Sequence, residues 1–148
     1  MQVADEAGPV VVVRRQMAVP RERVFAAWLD PESMAEWMRP KSSIRSKVTA
    51  DPKVGGAFKI IMEGSANTPI EHRGEYLVID PPSLLSFTWI SANTDRLPTV
   101  VTIEFNEQGT GTELILTHRQ LPARTAEGHR QGWTEIVRLL EEVLTVPG

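Results

Sequence analysis

The stretch HRQGWTEIVRLLEEVL, residues 129–144, decides the fold. Trp133, Ile136, Val137, Leu140, Val143 and Leu144 recur at i, i+3, i+4, i+7, i+10 and i+11, while Glu135, Arg138, Glu141 and Glu142 lie off that stripe. Such spacing makes an amphipathic helix with one apolar face for a core. The helix is expected to start near Ala123 and stop before Pro147, giving about 22 residues and roughly 33 Å. His129 and Trp133 sit one turn apart on it, so what packs on that turn determines what His129 can do.

Upstream, from about residue 44 to 119, the apolar period is two. Phe58, Ile60 and Met62 alternate with Ala57, Lys59, Ile61 and Glu63. His72, Gly74, Tyr76 and Val78 alternate with Glu71, Arg73, Glu75 and Leu77; Leu85, Phe87 and Trp89 alternate with Ser86, Thr88 and Ile90. Val101, Ile103 and Phe105, then Leu114, Leu116 and His118, repeat the pattern, with turns expected at Asp80-Pro81-Pro82 and at Gly109 to Gly111. This reads as an antiparallel meander with one apolar face. Before it, Val10–Met17 reads as a strand, and two short helices follow. Pro20 opens the first, with Val24, Phe25 and Trp28 at helical spacing; Asp30 caps the second ahead of Pro31. The expected architecture is α+β: a curved antiparallel sheet of about six to seven strands wrapped around the long C-terminal helix, with two short helices after the first strand.

The 148-residue chain suits one domain, expected over residues 10–146 behind a tail of residues 1–9. Sixteen basic against nineteen acidic residues give a net charge of −3, which argues against general nucleic-acid binding. RPKSSIRSK (39–47) is a local basic exception, read as a solvated loop or as a landing patch for an acidic group. With no cysteine there is neither a disulfide nor a thiolate metal site. Residues 1–9 carry acids where a leader would be basic, and Val10–Val13 is too short for a membrane span, so the expected location is the cytoplasm.

Five blocks carry a resemblance: PRERVFAAWLDPESMAEWM (20–38), DPKVGGAFKIIM (51–62), GEYLVIDPPSLLSFTW (74–89), GTELILTHRQLP (111–122) and HRQGWTEIVRLL (129–140). In this order they resemble homologues of the heat-shock-protein-90 ATPase activator, within the START-like, birch-allergen-like helix-grip superfamily (SRPBCC). The resemblance covers roughly residues 10 to 145. It implies the sheet-and-helix fold reached from periodicity, and a cavity between sheet and helix that holds hydrophobic molecules elsewhere in the superfamily. Where many relatives carry Trp-Trp-Gly-Pro, this chain has Trp37-Met38-Arg39-Pro40, which changes the shape of the loop there. The co-chaperone that names the family has a separate N-terminal chaperone-binding domain. No stretch here reads as one, which weighs against chaperone activation on the name alone.

Candidate ligand contacts on the inward register are Trp37, Met38, Phe58, Ile60, Met62 and Tyr76, with Phe87, Trp89, Val101, Ile103, Phe105, Leu116 and Trp133. Ordinary core packing competes with ligand contact at every one of them. His72, His118 and His129 join them as polar candidates. The histidines lack metal-ligand spacing and no nucleophile has an adjacent base, so neither metal nor cofactor is expected. Ten residues separate His118 from His129, and the end of a strand and the start of a helix can bring them together. Gly128 and Gly132 each cost a helix about 1 kcal/mol. Close approach of the sheet, space for a ligand, and a frayed first turn are the three explanations. GTGTEL (109–114) is a turn and not a dinucleotide fingerprint, and DPES (30–33) is a helix cap and not an acid cluster.

The leading functional expectation is binding of a small hydrophobic or aromatic molecule in the cavity. An alternative is a polyketide-cyclase or aromatase-like enzyme with His118, His129 and Tyr76 as acid–base groups. A third is a protein-interaction module acting on a chaperone or on a second copy of itself.

Overall fold

The computed structural model describes residues 9–39, 45–63 and 69–145. Most of the expected tail, the centre of the basic stretch including Lys41, and the expected end of the domain at residue 146 lie outside them. Strand β1 (Val11–Met17) leads into helices α1 (Arg21–Ala27) and α2 (Pro31–Trp37). Six strands follow: β2 (Ser46–Ala50), β3 (Ala57–Glu63), β4 (Pro69–Asp80), β5 (Leu84–Trp89), β6 (Thr99–Gln108) and β7 (Gly111–Arg119). Helix α3 (Ala123–Thr145) closes the described chain. The seven strands form one sheet in the order β1-β7-β6-β5-β4-β3-β2, each pair antiparallel. Consecutive strands are therefore neighbours from β2 to β7, and β1 joins at the far edge beside β7.

Local chemistry explains the helices. The Asp30 carboxylate accepts the Glu32 N–H at 3.0 Å with Pro31 at the first helical position, so α2 starts where capping places it. Trp37 turns inward and donates its indole N–H to Ser33 Oγ at 3.1 Å. On α3 the buried stripe is Trp133, Ile136, Val137, Leu139 and Leu140, one residue wider than the i, i+3, i+4 pattern because Leu139 also tucks in. Glu141, on the charged side of the stripe, is not merely solvated. It accepts Arg15 Nε at 2.8 Å and the Ala18 N–H at 3.3 Å, pinning the helix to the β1 edge. Arg138 pairs with Glu135 and Glu142 along the outer face. From the basic stretch, Arg45 pairs with Glu36 at 3.2 Å and Arg39 donates to the Glu36 carbonyl at 2.9 Å, so both tie back to α2.

The alternation seen in the sequence holds on β3, β5, β6 and β7, whose inward residues form the core. It fails once, on β4. A shift of register between Tyr76 and Val78 buries Tyr76 but turns Val78 outward, and Ile79 packs on the core instead. Gly74, opposite Phe58, is a close approach: a Cβ there would lie 1.9 Å from the Thr88 carbonyl oxygen. The four tryptophans are all buried. Trp28 packs edge-on to Trp37 at 4.7 Å and lies 6.3 Å from Trp133, linking the small helices to α3.

Candidate functional site

A cavity of about 410 Å³ opens between the first half of α3, the ends of β3 and β4, and the loop after β5. Its apolar walls are Met62 and Ile70 from the sheet, Trp89 at the end of β5, and Trp133 and Ile136 from the helix. Trp89 and Trp133 stand 4.9 Å apart with their rings inclined by 55°. Gly128 and Gly132 form the helical side, and a Cβ on either would meet no protein atom within 4 Å. Close approach of the sheet is therefore not why they are glycine; both are exposed and border the mouth of the cavity. His72, His129, Asn93, Thr125 and Arg124 supply the polar groups.

The loop after β5 is fastened to the start of α3. Ser91 and Thr94 cap the short 3-10 turn Ala92–Thr94 reciprocally, Thr125 Oγ1 donates to the Asn93 carbonyl at 2.9 Å, and Arg124 pairs with Asp95. This brings Asn93 and Arg124 to the mouth. Neither carried a signal in the sequence: Asn93 lies in a three-residue turn too short to show a period, and Arg124 in the first turn of α3 lies off its apolar stripe.

The three histidines differ in what holds them. His118 is fully buried, one step behind the wall. An indole N–H only donates, so the 3.0 Å contact from Trp133 Nε1 makes His118 Nδ1 the acceptor. The proton of the neutral ring is then on Nε2, which donates to Thr99 Oγ1 at 2.7 Å, and Thr99 in turn donates to the Trp89 carbonyl at 2.6 Å. Every atom of that chain is satisfied. Burial, then the nearby His129, lower the His118 pKa to about 3, so the ring is neutral at ordinary pH.

His129 donates Nδ1–H to the Thr125 carbonyl at 2.8 Å, since a carbonyl can only accept. Its Nε2 then carries a bare lone pair, and no described residue bonds it. Burial lowers its pKa, with the Thr125 carbonyl working the other way. The rings of His118 and His129 do come together, edge to face at 5.1 Å. His72 lies against Trp89 at 4.9 Å, with Nδ1 buried and lacking a hydrogen-bond partner. Burial first and His129 second lower its pKa to about 4, with the Ile60 and Ile70 backbone carbonyls acting in the opposite sense.

Of the residues singled out by sequence, Met62, His72, Trp89, His129 and Trp133 stand at the cavity. Met38, Phe58, Ile60, Tyr76 and Phe87 surround a void of only about 10 Å³ deeper in the molecule, so they are packing. Trp37, Val101, Ile103, Phe105 and Leu116 are core residues away from either space. Tyr76 sits among Phe58 and Phe87, not beside the histidines, and burial followed by Asp51 raises its pKa to about 12. The cyclase-like trio is thus not one constellation: His118 has both nitrogens engaged and Tyr76 belongs to another part of the core. Among the described residues no three His, Cys, Asp or Glu side chains gather as a metal site, and no helix is long and apolar enough to cross a membrane.

Comparison with known proteins adds the family. Curated proteins provide no match. Solved structures share the fold: a Chromobacterium violaceum protein has a TM-score of 0.82 at 22% identity, covering 93% of this chain and 98% of its own. A Mesorhizobium loti protein has a TM-score of 0.74 at 29% identity, covering 92% and 96%. An HSP90 activator from Plasmodium falciparum has a TM-score of 0.74 at 24% identity, covering 95% and 99%. The family model described as activator of Hsp90 ATPase homolog 1-like protein matches residues 18–145, and with that match across β2 to β7, the small helices and α3, the chain belongs to this family.

Proposed function

We propose that this protein binds a small, flat, hydrophobic molecule in the cavity between α3 and the sheet. The fold and family are those of a START-like ligand-binding or Hsp90-regulator-like module. The observation that carries the ligand reading is the pair Gly128 and Gly132: two residues that weaken the helix face open space beside Trp89 and Trp133. At about 410 Å³ the cavity falls within the roughly 300–1,000 Å³ of small-molecule sites, and it has their composition, aromatic walls with a few polar groups.

The test is titration with 2-methylnaphthalene, followed by tryptophan emission, because two of the four tryptophans line the cavity. Saturable quenching that disappears in Gly132→Leu, whose side chain would fill the space, is the expected result. Quenching that never saturates, or that Gly132→Leu leaves unchanged, overturns the proposal. The family and the Plasmodium HSP90 activator favour a second reading, regulation of a chaperone. It predicts stimulated Hsp90 ATPase on addition of the protein, and an unchanged rate at saturating protein removes it.

A further inference from the structure

We infer that the ligand is a neutral aromatic compound carrying a hydroxyl or N–H donor, and that His129 Nε2 is the atom that selects it. The inference rests on the cavity reading above and names the class of molecule it takes. Its basis is a tautomer that the backbone imposes. Thr125, one turn before His129, offers a carbonyl at 2.8 Å, and that oxygen consumes the ring's one neutral-state proton at Nδ1. Nε2 is left able only to accept.

The other described groups around it add no unpaired cation to the interior. His118 cannot turn a donor toward the cavity, because Trp133 occupies its Nδ1 and Thr99 its Nε2–H. Burial keeps His72 neutral, so it brings no cation. Arg124, at the mouth, is 65% exposed and already paired with Asp95. A carboxylate entering this site therefore meets a lone pair and gives up water with no unpaired cation to offset its charge, only neutral donors such as the Asn93 amide. A phenolic hydroxyl gains a hydrogen bond from the same lone pair. The rest of the molecule is specified by the walls: Trp89 and Trp133 favour an aromatic ring, and Met62, Ile70 and Ile136 favour an apolar edge.

The experiment compares 2-naphthol, 2-methoxynaphthalene and 2-naphthoate by tryptophan quenching near neutral pH. The methoxy compound keeps the oxygen and loses the donor; the naphthoate replaces the donor with a charge. One neutral hydrogen bond predicts that 2-naphthol binds roughly three- to tenfold tighter than 2-methoxynaphthalene, with 2-naphthoate weaker than 2-naphthol. In His129→Phe, checked for an unchanged circular-dichroism spectrum, the ratio of 2-naphthol to 2-methoxynaphthalene affinity falls to about one. Equal binding of 2-naphthol and either comparator in the unsubstituted protein overturns the inference, and that comparison needs no variant to fold. So does a preference for 2-naphthol that survives His129→Phe. If none of the three aromatic probes binds, the cavity reading itself falls and takes this inference with it; if all bind alike, only the selection by His129 fails.

Discussion

His118 and His129 are the same residue type, packed ring against ring, and their roles separate at the level of single hydrogen bonds. Trp133 and Thr99 close a chain through His118, so its imidazole holds the end of β7, the start of β6 and the helix together. Replacing it tests that role. His118→Phe leaves the Trp133 indole N–H buried without an acceptor and should cost about 2 kcal/mol or more, since a stranded buried donor costs about 1–3 kcal/mol and the ring must also be repacked. Urea denaturation measures it. A loss below a few tenths of a kcal/mol contradicts the structural role. Sequence placed both histidines on the inward register and their chain separation allowed contact. It could not distinguish them, because a tautomer depends on partners contributed by other elements.

At the scale of the element, α3 is two helices in function. Its second half is core, anchored by Leu140 inside and by Glu141 to Arg15 outside. Its first half carries the two glycines and faces the cavity. Because a Cβ at Gly128 or Gly132 meets no protein atom within 4 Å, alanine is sterically free at both positions. Gly128→Ala and Gly132→Ala should each raise stability by about 1 kcal/mol, visible as a higher Tm. A lower Tm would mean that the backbone there needs glycine after all. The helix was legible in residues 129–144 from its periodicity, and so were the inward faces of β3, β5, β6 and β7. The β4 register shift was not, since Leu77, Val78 and Ile79 are all apolar and alternation alone cannot tell which of them faces in.

Across the whole molecule the buried imidazoles couple folding to pH. His72 and His118 titrate near 6.5 when exposed, but at about 4 and about 3 in the folded protein. The unfolded chain therefore binds more protons between those values, and stability is lost as pH falls from about 6.5 toward 4 and below. Above about 6.5 both groups are neutral in either state and contribute no slope. Each histidine contributes about 1.4 kcal/mol per pH unit inside its window. Urea midpoints measured on both sides of pH 6.5 should drop on the acid side only, and His118→Phe should remove part of that slope. A flat profile down to pH 4 would show that these rings are not held neutral.

What the sequence by itself determined was the order and kind of the elements. Helical and strand periods, a capping aspartate and turn residues are local signals, readable from near neighbours, and five ordered blocks pointed to the family that residues 18–145 match. Tertiary structure alone decided which inward residues are core and which line the cavity. It also decided that Asn93 and Arg124 reach its mouth, and that His129 presents a lone pair. The reason is physical: a cavity is the volume that side chains from β3, β4, β5 and α3 together leave unfilled, and a proton's position follows from acceptors that only folding brings near.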